Sequence, residues 1–309
     1  MPFELTILGS SSALPTSERY PTAQVLNVLG RFFLIDCGEG TQIQLRRNKI
    51  GFGKIKHILI SHLHGDHYYG LIGLISTLNL LGVEADIHIY SHSELKTLLQ
   101  PQLDYIRGDM KVKLIFHPLD FKKQKKIYSD KRLEVFSFPL KHSVPTCGFL
   151  FREVEKQPNI KKELVQKYKI PIAQIKEIKA GGDFVTSEGE IISNQELTTP
   201  PPKPRSYAFC TDTAFFEPVT EIIKDVDLLY HEATFLEEMR EFASKTQHST
   251  TIDAANIAKL ANARQLIIGH FSSRFNDSSI FEKEAKSVFK NTQAAKEGKT
   301  YKIKQAPKA

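Results

Sequence analysis

Residues 56–67 read KHILISHLHGDH. The first half is apolar and β-branched, the composition of a buried strand. The second half packs His62, His64, Asp66 and His67 into six positions, spaced H-x-H-x-D-H. At this chain's histidine content, 11 in 309, chance yields such a hexapeptide in less than about one chain in a thousand. Four such groups crowded at a strand end repel one another once the imidazoles are protonated. A divalent cation removes that cost, because neutral imidazole and carboxylate are its natural ligands. In an extended segment His62 and His64 alternate onto one side. Gly65 then turns the chain, so Asp66 and His67 face elsewhere; the first pair can serve one ion and the second pair another.

Each ion needs further ligands, and the sequence offers them just past the ends of other apolar strands. They are His142 in SFPLKHSVPTCGF, Asp212 in YAFCTDTAFF and His270 in QLIIGHFSSRF. With Asp212 bridging, His62, His64, His142 and Asp212 hold the first ion, and Asp66, His67, Asp212 and His270 the second. A donor set of nitrogen and carboxylate without sulfur suits Zn2+ best, with Mn2+ or Fe2+ as alternatives. Asp36, in FFLIDCGEGTQ, ends another apolar strand. Its carboxylate can accept the second N–H of a metal-bound imidazole, or it can cap a helix starting at Thr41. Cys37 and Cys210 read as small buried strand residues. His57, His88, His92 and His117 show no ligand spacing and are assigned to core or surface.

Outward from this stretch, short apolar strands alternate with amphipathic helices. Strands are expected over 3–8, 23–29, 31–36, 56–61, 86–90, 111–116, 133–138, 148–151, 206–210, 227–231, 265–269 and 300–303, with Gly30 turning a hairpin. Helices are expected over 41–49, 67–80, 93–106, 252–261 and 279–291. Ala254, Ile257, Ala258 and Ala261 fall at helical spacing, and Thr250 with Asp253 reads as a capping pair. The pattern is that of a layered α/β domain with its sheets inside.

Composition excludes other classes. At roughly 150 residues per domain, 309 residues allow two units or one large α/β domain. No apolar run reaches the ~18 residues that a membrane-spanning helix needs, and MPFELTILGS lacks the features of a secretory signal. Three unpatterned cysteines, Cys37, Cys147 and Cys210, fit a reducing cytoplasm rather than a disulfide framework. A net charge of +7, from 42 Lys+Arg against 35 Asp+Glu, favours polyanionic partners. Residues 152–205 break the strand–helix pattern. They are polar, carry 10 Lys/Arg and 8 Asp/Glu, and end in TTPPPKPR, a proline run that favours extended backbone. The segment reads as a surface insertion or as a projecting arm that touches a partner. The lysine patches at 122–126 and 290–308 read as solvated surface.

The hexapeptide followed by spaced His, Asp and His resembles the metallo-β-lactamase superfamily, and the pattern runs from Asp36 to His270. That resemblance implies a four-layer αββα sandwich, a single domain over 1–309 with the inserted arm at 152–205. Three features narrow it: YHEAT at 230–234, QHST at 247–250, and the insertion between His142 and Asp212. With LGSSSALPTSERYPTAQVL and DCGEGTQIQL, they are similar to the ribonuclease Z family of tRNA 3′-processing endonucleases. The family's arm carries a Gly-Pro-rich turn; here the corresponding stretch reads KIPIAQIKEIKAGGD, without a Gly-Pro pair.

What the resemblance implies is a zinc-dependent endoribonuclease, with two Zn2+ per subunit, that removes the 3′ trailer from precursor tRNA. The tRNA keeps a 3′-hydroxyl and the trailer a 5′-phosphate. Asp66 acts as proton acceptor while ligating metal, and His248, paired with Glu232, protonates the leaving oxygen. His231 steadies the YHEAT turn. Arg274 holds a substrate phosphate or joins a surface ion pair, and the basic run Arg46, Arg47, Lys49, Lys54 and Lys56 follows the acceptor stem. The resemblance also implies a homodimer; the cytoplasm is expected from the cysteine usage, and no membrane partner from the lack of a long apolar run. The competing readings are a small-molecule hydrolase of the same superfamily, acting on thioesters, lactones or cyclic nucleotides, and a non-catalytic RNA-binding protein.

Overall fold

At the turn forecast for Gly30, Ala23–Val28 and Arg31–Cys37 pair antiparallel. Leu29 and Gly30 both take positive φ, 56° and 88°, the handedness that lets a two-residue turn follow the twist of its strands. The structure, a computed structural model, describes residues 2–106 and 110–305. This hairpin sits inside a seven-stranded sheet ordered Thr300–Lys302, Phe3–Gly9, Ala23–Val28, Arg31–Cys37, Ile55–Leu59, Ala85–Ser91, Val112–Pro118. Its last four strands run parallel.

A second seven-stranded sheet is ordered Thr292–Ala294, Leu266–Gly269, Leu228–Glu232, Ser206–Cys210, Cys147–Glu153, Leu133–Pro139, Lys125–Ser129. Its first four strands are parallel. The two sheets face each other across one apolar core, in which Phe33 of the first lies edge-on to Phe151 of the second at 5.2 Å. Helices cover the outer faces. Leu71, Leu74, Ile75 and Leu78 put the buried stripe of Gly70–Leu80 on the first sheet. Ala254, Ile257 and Ala258 do the same for Thr251–Leu260 on the second. The architecture is the αββα sandwich.

The helix expected over 67–80 begins earlier and is broken. Gly65–Tyr68 forms one turn and Gly70–Leu80 a second helix. At the break a Cβ on Gly70 would lie 2.0 Å from the Gly38 carbonyl oxygen, so only glycine lets the chain pass there. The helix expected over 279–291 stops at Lys286, because the chain must turn to lay down the edge strand Thr292–Ala294. Lys125 and Lys126, read as solvated surface, are exposed and also open the opposite edge strand. Ile127 and Tyr128 of that strand pack on the core, while both lysines stay exposed. Lysine on an edge strand blocks sheet-to-sheet association, and it masked the alternation. The basic patch at 290–308 ends outside the described residues.

Residues Glu153–Pro204, with Gln305, form a separate compact unit. It holds the helices Lys162–Lys167 and Ile172–Lys179. Its two small ladders pair Asn159–Ile160 with Thr198–Thr199 and Phe184–Val185 with Ile191–Ile192. Ile170, Ile178, Phe184, Ile192 and Leu197 make a core of its own. The polar composition of the segment hides these five scattered anchors.

Candidate metal centre

Parallel strands point their carboxyl ends the same way, and loops leaving those ends collect polar residues that the sheet interior cannot hold. His62, His64, Asp66 and His67 follow Ile55–Leu59, and Asp36 lies near the end of Arg31–Cys37. In the second sheet His142 follows Leu133–Pro139, Asp212 follows Ser206–Cys210, Glu232 ends Leu228–Glu232, and His270 follows Leu266–Gly269. The ligand-type atoms of His62, His64, His142 and Asp212 all lie within 4.8 Å of one another. Those of Asp66, His67 and His270 form a second such group. Asp212 stands between them: one carboxylate oxygen is 3.5 Å from His62 Nε2 and 3.8 Å from His142 Nε2. Its other oxygen is 3.3 Å from His67 Nε2 and 3.2 Å from His270 Nε2.

The imidazole tautomers follow from what the outward nitrogens touch. His67 Nδ1 donates to the Asp36 carboxylate at 2.7 Å, and His142 Nδ1 to the Gln247 carbonyl at 2.9 Å. The Ser61 hydroxyl spends its proton on Asp36 at 2.9 Å, so it accepts from His62 Nδ1 at 3.0 Å. The Thr234 hydroxyl likewise donates to Glu232 at 2.7 Å and accepts from His270 Nδ1 at 2.9 Å. Four rings therefore carry a proton on Nδ1 and, when neutral, turn the Nε2 lone pair inward. His62, His67 and His270 are fully buried, yet their Nε2 atoms have no hydrogen-bond partner. Buried polar atoms are nearly always paired. Three inward lone pairs beside two carboxylates are what a divalent cation takes up, so the residues present fit a bound metal.

Electrostatics point the same way. Burial and neighbouring imidazoles hold His62 well below its ordinary value, keeping it neutral. Burial opposes protonation of His67, but Asp212, Asp66 and Asp36 pull it well above the ordinary imidazole range. Burial would raise Asp212 as well; His270, His67 and His62 hold it well below the usual carboxylate value. The centre attracts positive charge, and a proton on His67 is what a metal would displace.

Beside this cluster, His248 Nδ1 donates to Glu232 at 2.8 Å, and the ring lies 5.0 Å from that of His142 and 5.5 Å from that of His270. Glu232 is fully buried and also accepts from the Thr213 and Thr234 backbone N–H groups at 2.9 and 3.0 Å. Burial lowers the His248 imidazole, but Glu232 outweighs it and lifts the ring to about 9. The capping box of Thr250 and Asp253 forms, and the helix it starts, Thr251–Leu260, lies just past His248. The carboxylate overcomes the positive helix end. His231 is buried, its Nδ1 bonded to the Glu232 carbonyl at 2.7 Å, and it belongs to none of the ligand groups among the described residues.

Asp66 Oδ2 accepts from the Ala13 N–H at 2.8 Å. A cleft of about 380 Å³ opens over Asp66, Asp212, His248 and His270, with Arg274 at its mouth. The Arg274 guanidinium lies over the Phe242 ring at 4.6 Å and joins no ion pair among the described residues. Arg46, Arg47 and Lys54 lie over Phe52, Tyr20 and Phe32 in turn, and none of them lines the cleft. Ser61, Thr234 and the Gln247 carbonyl had no signal of their own. They flank recognised motifs, and only the fold turns them toward an imidazole. Asp36 bonds Ser61 and His67, and the helix at Thr41 takes its N-cap from Gly40 without a side-chain bond.

The family model for the anti-Pycsar protein Apyc1 matches residues 3–158, a span that includes His62–His67 and His142 and stops before Asp212, Glu232, His248 and His270. A ribonuclease Z of Bacteroides fragilis is 48% identical over 295 residues, 96% of this chain and 97% of the relative. The short form of human tRNase Z superimposes with a TM-score of 0.71 at 24% identity, over 97% of this chain and 99% of that one. The metallo-β-lactamase fold protein YhfI of Bacillus subtilis gives 0.68 at 18%, over 98% and 100%.

Proposed function

The chain belongs to the ribonuclease Z family, and through residues 3–158 also to the family described as anti-Pycsar protein Apyc1; from that premise we propose that it removes the 3′ trailer from tRNA precursors. The observation that carries the reading is the pair of buried Glu232 and partly buried His248, 2.8 Å apart, at the edge of the cluster of inward imidazoles. It joins a proton donor to a centre that would draw phosphate once it holds cations.

His62, His64, His142 and Asp212 would hold one ion, and Asp66, His67, Asp212 and His270 the other. Two Zn2+ suit these donors, and Mn2+ or Fe2+ fit them too. Ions held there supply Lewis acidity toward the phosphate and the attacking water. The chain's own groups do the rest. Burial raises the Asp66 carboxyl, but His67 and His270 hold it below the ordinary carboxylate range, so it is ionised; it would orient the attacking water and take its proton once bound cations acidify that water. The water oxygen bonds to phosphorus as the bond from phosphorus to the 3′-oxygen breaks. His248 delivers its proton to that leaving oxygen, and Glu232 keeps the imidazole charged until then. Asp36 fixes the tautomer of His67. The products are a tRNA with a 3′-hydroxyl and a trailer with a 5′-phosphate.

Arg274, at the mouth of the cleft, takes a phosphate next to the scissile one. Arg46, Arg47, Lys49, Lys54 and Lys56 follow the acceptor stem, where phosphate contacts make binding fall with salt. The unit 152–205 would grip the tRNA. The protein works in the cytoplasm as a homodimer; its three cysteines are free, and no helix among the described residues is long and apolar enough to cross a membrane.

The test is to incubate metal-quantified protein with a trailer-bearing tRNA precursor and map the cut to one nucleotide. Cleavage after the last tRNA nucleotide, with the stated end groups, is the expected result. Hydrolysis of bis(p-nitrophenyl) phosphate without any cut at that junction would replace this reading by the small-molecule one.

A further inference from the structure

We propose that the Phe242–Arg274 stack is the platform for the nucleobase on the tRNA side of the scissile phosphate. This rests on the reading of the chain as a tRNA 3′-processing nuclease. Phe242 lies in the helix Arg240–Thr246 and lines the cleft together with Asp66, Asp212, His248 and His270. Phe235 beside it is 3% exposed, whereas Phe242 keeps 37% of its surface open. The ring is nevertheless held: Arg274 lies over one face at 4.6 Å, and Phe235 meets it edge-on at 5.2 Å and 82°. A rigid, solvent-facing aromatic ring with a guanidinium stacked on it continues naturally into a base. Of the other residues lining the cleft only Ala13, Leu14 and Phe235 are apolar, and the contact with Phe235 leaves much of the Phe242 ring open to the cleft.

Position selects which base. Phe235 bridges the platform to the proton donor, with ring centroids 5.2 Å from Phe242 and 6.2 Å from His248. His248 serves the departing 3′-oxygen, which belongs to the last nucleotide of the mature tRNA. The base of that same nucleotide is the one within reach of Phe242. Stacking engages any base through its π-face, so the platform orients the end of the acceptor strand without demanding one sequence.

The experiment measures kcat and KM for wild type, Phe242→Ala and Phe242→Trp on two precursors. One is intact, and the other carries an abasic residue at the last tRNA position. Loss of one base stack corresponds to about a 10–100-fold fall in kcat/KM. We expect that fall for Phe242→Ala on the intact precursor, carried mainly by KM, and near-full retention by Phe242→Trp. On the abasic precursor the gap between wild type and Phe242→Ala closes, which a fault in folding or in metal loading would not produce. Undiminished cleavage of the intact precursor by Phe242→Ala overturns the platform alone, as does an equal loss on both precursors. Failure of wild type to cut the intact precursor would overturn the nuclease reading and the platform with it.

Discussion

Replacing Glu232 by Gln removes one charge from the centre while keeping the shape of the side chain. In the native protein Glu232 lifts the His248 imidazole from 6.5 to about 9 against the pull of burial. That corresponds to about 3 kcal/mol of preference for the charged ring. A raised imidazole contributes stability in full below 6.5 and loses it as pH rises through about 9. The same titration sets the supply of the proton for the leaving oxygen. With the imidazole near 9, about nine rings in ten are charged at pH 8; without Glu232 burial leaves the ring at or below 6.5, and at most about one in thirty is charged. Glu232→Gln therefore lowers precursor cleavage by about 30-fold or more at pH 8 and by much less at pH 6. Bound cations lower both rings, so the displacement of the alkaline limb between the two proteins, roughly two pH units, is the quantity to read. Single-turnover cleavage from pH 5.5 to 9.5 supplies it. The amide also turns an NH2 toward donors that the carboxylate satisfied, at a cost of about 1–3 kcal/mol, so melting is followed in parallel. Coincident alkaline limbs, or a loss of the same size at pH 6 and pH 8, would refute His248 as the proton donor.

Three further outcomes are expected. Asp36→Asn, which weakens the bond that fixes His67, should lower metal affinity by about 10–100-fold, seen by equilibrium dialysis, and an unchanged affinity would remove Asp36 from the metal's support. Chelation should abolish cleavage and lower the melting temperature, with Zn2+ restoring both. Because His67 sits well above its ordinary value, Zn2+ titration at pH 7 should also release protons, a signal readable by calorimetry in buffers of different ionisation enthalpy. Thr250→Ala breaks the capping box and should cost about 1 kcal/mol, or roughly 2 °C in Tm, with metal content unchanged.

Strand ends and seven ligand-type side chains were legible in the linear sequence for a physical reason. The apolar runs of a parallel strand stop abruptly where the chain leaves the sheet, and the polar residues that follow stand out, as in KHILISHLHGDH and QLIIGHF. The capping pair Thr250 and Asp253 was legible too, because its chemistry is confined to four residues. What only the tertiary structure decided lies across long sequence gaps. Nothing near His142 says that its outer nitrogen meets the carbonyl of Gln247, nor near His270 that it meets Thr234. The inner core of Glu153–Pro204 and the edge strand Lys125–Ser129 bury too few side chains to leave a periodic trace. Phe242 reads as one more apolar helix residue until the fold sets it beside Arg274. Residue type and spacing announce which groups are present; the direction in which each ring points depends on partners that approach only when both sheets have closed on their common core.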